Sequence, residues 1–319
     1  MTIRLFAIPL MLSAAPALSQ TVYVSNERGN SVTVIDGKTM KPIATWPVGK
    51  RPRGIMLSKD GKHLYLCASD DHAVQIVDIA TGKVLHDLPA GDDPEQFALS
   101  VDGKEIYTSN ERENIVTAID IATRSVAWQL PTGEEPEGMA VSPDGKWIVS
   151  TSETDHGVHW IDRATRTDVG LTEVGERPRH AEFTADGSKL WVTSEIAGTM
   201  SVIDVASRKI ETVISFAPEG VGPEKILPVG VRFTPDGKTA IVALGRANAL
   251  AFVDVASRKV RKYVPVGKRV WHLGITPDGA RAFAANGLSD TVSVIDLKTE
   301  AVIGEIPTGD APWGVAIAP

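Results

Sequence analysis

From residue 21 onward, short apolar runs alternate with polar turns at about ten-residue spacing. The stretch 54–91 shows the unit. Gly54 to Ser58 predicts a first strand, and Lys59-Asp60-Gly61-Lys62 a hairpin turn in which Gly supplies the positive φ. His63 to Ala68 predicts a second strand, Ser69 to His72 a polar loop, Ala73 to Asp78 a third strand, and Val84 to Leu88 a fourth. The unit recurs. An aspartate closing the third strand stands at 36, 78, 120, 162, 204, 254 and 296, so every step is 42 residues except one of 50. An Asp-Gly pair keeps the same beat from Asp60 to Asp278. Four short strands repeated at a period near 40 predict an all-β fold, a seven-bladed β-propeller with four antiparallel strands per blade.

The repeat also predicts how the ring closes. Thr21 to Ser25 aligns with a second strand, and Trp313 to Ala318 with a first strand. The C-terminal strand should therefore complete the N-terminal blade and leave no open sheet edge. The eight extra residues fall within 216–227, rich in Pro and Gly, and read as a longer loop before the sixth first strand. The aspartates closing third strands are followed three residues on by Thr or Ser in all seven copies, which reads as a turn device rather than a metal set.

Residues 1–20 read as a cleavable export signal: Arg4, an apolar run from Leu5 to Ala17, then small residues. The propeller is expected over 21–319, in the periplasm. Loss of Arg4 takes the net charge from −7 to −8, which disfavours nucleic acid as a partner. No later run is long enough for a membrane helix, and the mature chain is expected to be a monomer. Cys67 is the only cysteine, so neither an internal disulfide nor a CxxCH haem site is available.

What all copies share is scaffold; what differs is where function can be sought. The loops leading into first strands ring one channel mouth, and most share a Gly-x-x-Pro frame. One group there is aromatic and basic: Arg51, Arg53, Arg269, Trp271, His272 and Trp313, with Lys50 and Lys268 beside them. Indole faces and guanidinium groups can hold a planar anion; the bland alternative packs both tryptophans between blades, as expected for Trp46, Trp128 and Trp191. A second basic patch is Arg177, Arg179 and His180. His180 and His272 are expected near the channel, either as hydrogen-bonded channel groups or as ligands to a shared metal or haem iron. An acidic sector holds Asp92, Asp93, Glu95, Glu134, Glu135 and Glu137, with Glu111 and Glu153 nearby. It suits a hard divalent or lanthanide cation, or is a solvated acidic rim.

Tyr23-Val24-Ser25-Asn26, repeated as Tyr107-Thr108-Ser109-Asn110, with Ser-Val-Thr-Val-Ile-Asp and Pro-Val-Gly after it, resembles the YVTN-type propeller repeat. Gly49 to Gly54, Glu135 to Ala140, 177–195, 228–248, Arg269-Val270-Trp271 and Ala311 to Gly314 resemble the propeller proteins associated with pyrroloquinoline quinone (PQQ)-dependent alcohol catabolism. That resemblance implies an exported protein working near a quinoprotein dehydrogenase, a cytochrome c and a transporter, with PQQ as a candidate ligand. No nucleophile elbow, zincin motif or dinucleotide fingerprint is present. The expected function is therefore a non-enzymatic binding or scaffold propeller. The alternatives are a metal-dependent lactonase-like hydrolase, or a haem d1-like redox propeller.

Overall fold

A computed structural model describes residues 20–319. The segment read as an export signal, 1–20, lies outside the described residues except for Gln20. The chain forms seven four-stranded antiparallel sheets arranged as a seven-bladed β-propeller. We number the blades from the N-terminus: blade 1 is 21–47 plus 312–318, and blades 2 to 7 are 52–89, 94–131, 136–173, 178–215, 228–265 and 270–307. The ring closes as the repeat predicts: strand Pro312–Ala318 pairs antiparallel with Thr21–Asn26, with Val22 opposite Ile317 and Val24 opposite Val315.

The repeated polar residues build the turns. In every copy the third-strand aspartate accepts the N–H three residues on, from Thr39 to Asp36 (2.8 Å) through Thr299 to Asp296 (2.8 Å). In each Asp-Gly turn a Ser or Thr hydroxyl two residues earlier donates to the aspartate, as Ser58 does to Asp60 (2.6 Å), and the glycine takes φ near +70°. These carboxylates are spent on backbone geometry.

Seven buried apolar clusters hold the ring together, each shared by two adjacent blades. Trp191 is fully buried between blades 5 and 6, while Trp46 and Trp128 lean on Tyr23 and Tyr107 at centroid distances of 5.6 and 5.8 Å. Cys67 is buried in the cluster between blades 2 and 3, and burial pushes its thiol far up, which makes it an inert apolar group.

First strands start earlier than the sequence suggests. They begin at the Gly-x-x-Pro proline, as in Pro52–Leu57 and Pro178–Phe183. The residue after that proline is thus part of the innermost strand and not of a displayed loop.

Candidate functional site

The register of the first strands creates the site. The residue just after each proline position is Arg53, Glu95, Glu137, Arg179, Val229, Trp271 and Trp313 around the ring. Glu95, Glu137, Arg179 and Trp313 are buried on these innermost strands. They pair between blades. Arg53 binds Glu95 and, at 2.8 Å, Glu27; Arg51 binds Asp93 and the other oxygen of Glu95. Arg179 binds Glu137 (3.0 Å) and Glu153, Arg177 binds Glu153 (2.6 Å), and Arg269 binds Glu195 (2.6 Å).

This network corrects two expectations. The acidic and basic sectors are not separate, because neighbouring blades interleave them. Asp93, Glu95 and Glu111 do converge, with ligand atoms within 4.8 Å of one another. Yet both oxygens of Glu95 and one of Asp93 accept from Arg51 and Arg53, and Arg112 reaches the other Asp93 oxygen at 3.3 Å. Fixed guanidinium groups hold the place a divalent or lanthanide cation would need, so the donor set does not fit one. Asp92 pairs with His72 (2.9 Å), Glu135 accepts from Thr154 (2.6 Å), Glu134 is exposed, and Glu137 belongs to Arg179.

The tryptophan faces expected to clamp a planar anion such as PQQ are also occupied from within. Arg269 stacks 3.9 Å over Trp271, Trp271 and Trp313 lie 6.2 Å apart, and His272 covers Trp313 at 4.2 Å. Burial pushes the Glu137 and Glu153 carboxyls up although Arg179 opposes it. For Glu195 the balance reverses: burial opposes ionisation, and Arg179 and Arg269 outweigh it.

The next position along each first strand decides what fills the channel. It reads Gly54, Gln96, Gly138, His180, Gly230, His272 and Gly314: glycine alternates with a large polar side chain. A Cβ on Gly138 would come within 2.7 Å of the Arg179 carbonyl oxygen, and one on Gly230 within 2.9 Å of that of Trp271. The glycines therefore let adjacent strands close up, and the other blades send Gln96, His180 and His272 into the channel. Seven being odd, Gly314 and Gly54 are neighbours.

The three side chains form a plug. His180 Nδ1–H donates to Gln96 Oε1 at 3.1 Å, Gln96 Nε2 donates to the Arg179 carbonyl at 3.1 Å, and the two imidazoles stand 5.1 Å apart, edge to face. Arg232 donates to His180 Nε2 at 2.9 Å and also to Glu182. Burial pushes both histidines below the usual imidazole range. For His272 the charges of His180, Arg232, Arg179 and Arg53 push the same way. Both rings are thus neutral at pH 7. Burial opposes ionisation of Glu182, but Arg232 and His180 outweigh it.

Beyond the plug lies a cavity of about 360 Å³, walled by 54–59 and by parts of the other first strands, with Gln96, His180, Glu182, Arg232 and His272 on its polar side. Arg53, Glu95, Glu137 and Arg179 are not on its wall. The cavity reaches Ser58, Lys59 and Pro143, so it opens at the mouth ringed by Asp-Gly turns, opposite the one the sequence points to. Of the residues expected to bind, His180, His272 and Trp313 reach it; Arg51, Arg53, Arg177, Arg179, Arg269 and Trp271 do not.

Sequence reasoning missed Gln96, Glu182 and Arg232, and also Glu27 and Glu195. A signal existed for each. Glu182 and Arg232 are the charged members of a position otherwise held by Met56, Ala98, Ala140, Gly274 and Ala316, and Glu27, Glu111, Glu153 and Glu195 share one position after the second strand.

With this geometry in hand, the chain can be set beside known proteins. The family described as "Lactonase, 7-bladed beta-propeller" matches residues 165–306, and "Outer membrane protein assembly factor BamB" matches residues 8–144. No curated protein matches. Among solved structures, the periplasmic gluconolactonase PpgL of Pseudomonas aeruginosa is similar at 19% identity and TM-score 0.78, over 94% of this chain and 99% of that one. A protein of unknown function from Desulfotomaculum acetoxidans is similar at 14% identity and TM-score 0.81, over 93% and 98%. Hydrazine synthase of Kuenenia stuttgartiensis is similar at 20% identity and TM-score 0.73, over 82% and 87%. At these identities the likeness shows the fold, a seven-bladed β-propeller. The lactonase match corrects the functional expectation: it supports the lactonase-like alternative over a non-enzymatic scaffold, and it spans the segment that carries His180, Glu182, Arg232 and His272. Among the described residues no helix is long and apolar enough to cross a membrane.

Proposed function

We propose that this protein is a periplasmic hydrolase of lactonase type acting in the channel cavity. One observation carries the reading. Two neutral histidines, an arginine and a glutamate from three blades converge on one cavity, on strands that the lactonase family covers. A mostly apolar cavity with a few convergent polar groups and shifted titrations is the common form of a small-molecule site.

The residues suit attack of water on an ester carbonyl. The His272 ring has no hydrogen-bond partner among the described residues, so a ring nitrogen serves as base. It takes a proton from water as the hydroxyl oxygen bonds to the carbonyl carbon. Nη1 of Arg232 is held by His180 and Glu182, which leaves Nε and Nη2 to stabilise the oxyanion. The ring C–O bond then breaks, and the leaving alkoxide takes the proton back from His272, giving the hydroxy acid. Gln96 fixes the His180 tautomer, which in turn orients Arg232. No step needs a metal.

The test is hydrolysis of a panel of five- and six-membered lactones by purified protein, in the presence of a chelator. We expect turnover, and a loss in kcat/KM of about 10²-fold or more in His272→Gln and in Arg232→Gln. Absence of turnover on every lactone, or full activity in both variants, overturns the proposal.

A further inference from the structure

Resting on the lactonase reading, we infer that the cavity selects uncharged lactones carrying an alkyl or aryl group over polyhydroxylated sugar lactones. Three observations lead there. Beside the polar groups the cavity is lined by Met56, Leu57, Phe97, Leu99, Met139 and Phe183. Those side chains offer no donors and, apart from the weakly accepting thioether sulfurs of the two methionines, no acceptors, so a sugar hydroxyl pressed against them loses its water without adequate replacement.

The polar groups are also largely committed. Arg232 is matched by Glu182, and His180 uses both ring nitrogens on Gln96 and Arg232. What is left can serve one carbonyl and one water, and not a ring of hydroxyls. No surplus buried cation is present to hold a substrate anion: Lys59, the cation at the opening, is exposed.

The size agrees. At ~30 Å³ per water-sized group, about 360 Å³ admits roughly a dozen heavy atoms. An alkyl-substituted γ-lactone or a bicyclic aryl lactone fills that space.

The experiment has two arms. In the first, kcat/KM is measured for γ-butyrolactone, γ-hexalactone, γ-octalactone, dihydrocoumarin and gluconolactone. Full burial of a methylene is worth about fourfold, so the alkyl series should rise at least tenfold overall, with gluconolactone lowest. A flat series, or gluconolactone as best substrate, overturns the inference. In the second arm, 3,4-dihydro-2-quinolinone, a lactam that resists hydrolysis, is titrated by calorimetry. Saturable binding is expected, weakened severalfold in Met56→Gln at unchanged melting temperature. No binding, or binding indifferent to that substitution, overturns the inference. Lactam binding without hydrolysis of any lactone would sink the hydrolase reading alone and leave the selectivity standing.

Discussion

At Glu95 two guanidinium groups from one blade meet a single fully buried carboxylate of the next. Pairs of this kind recover little net energy, since desolvation consumes most of the Coulombic gain, but removing one partner leaves a buried charge exposed to an apolar surround. Here they tie neighbouring blades together: Arg53 reaches Glu27 of blade 1 and Glu95 of blade 3, and Arg179 reaches Glu137 and Glu153 of blade 4. His272 obeys the same physics with the opposite sign. Its folded pKa lies well below the unfolded value, so the unfolded chain binds the extra proton. The stability this provides is present above about pH 6.5 and is lost as pH falls through the folded value, at up to about 1.4 kcal/mol per pH unit. His159 acts the other way. Burial disfavours its charged form, but Asp168 at 2.6 Å and Asp155 outweigh it, so its contribution fades as pH rises. We predict that denaturant unfolding between pH 7 and 5 shows a shallower acid loss in His272→Gln than in the wild type. An unchanged slope would contradict this, since it would mean that the ring takes up its proton over the same pH range folded and unfolded. The sequence places both histidines near the channel and pairs them correctly with first strands. It cannot show that they meet 5.1 Å apart across an intervening blade, since that depends on Gly230 between them.

At the scale of the element, the first strand does most of the positioning. Its beginning at the proline, two residues before the predicted start, turns half-buried Arg53 and buried Glu95, Glu137 and Arg179 from displayed loop residues into members of the innermost strands. This shift is why the candidate site was only partly legible. A Gly-x-x-Pro frame looks like a loop in one dimension, and the ladder that absorbs its proline needs the partner strand: Pro52 lies opposite Ala68. The turns, by contrast, were fully legible, because Asp-x-x-Thr/Ser and Asp-Gly act through bonds only two or three residues long. The glycine alternation makes a direct prediction. Gly230→Ala drives a methyl to within about 2.8 Å of His272 Nδ1, so the imidazole must move. We expect a stability loss of about 1–3 kcal/mol by overpacking, with a larger proportional loss of lactone hydrolysis than of folded protein. Equal losses of both would show that the His272 position is unimportant to turnover.

For the whole molecule, the 42-residue period was enough to specify seven blades, their order and the closing strand, because each blade buries its faces only against its neighbours. Which mouth carries the chemistry was not in the period. Sequence variation is greatest on the loop mouth, where Arg51, Arg53, Arg177, Arg179 and Arg269 pair with carboxylates, whereas the cavity that His180 and His272 line lies past the plug. The central claim is that hydrolysis happens in this cavity, entered from the hairpin mouth. The most direct test is lactone turnover in two variants measured side by side. Ala140→Phe places a ring in the cavity, where Ala140 is half-buried on the wall. Lys50→Ala with Lys268→Ala strips two exposed cations from the loop mouth. The predicted result is a loss of at least about tenfold in kcat/KM for Ala140→Phe, folded by its melting curve, and a change of less than twofold for the lysine pair. Full turnover with the cavity filled, or its loss on altering the loop mouth alone, would contradict this account.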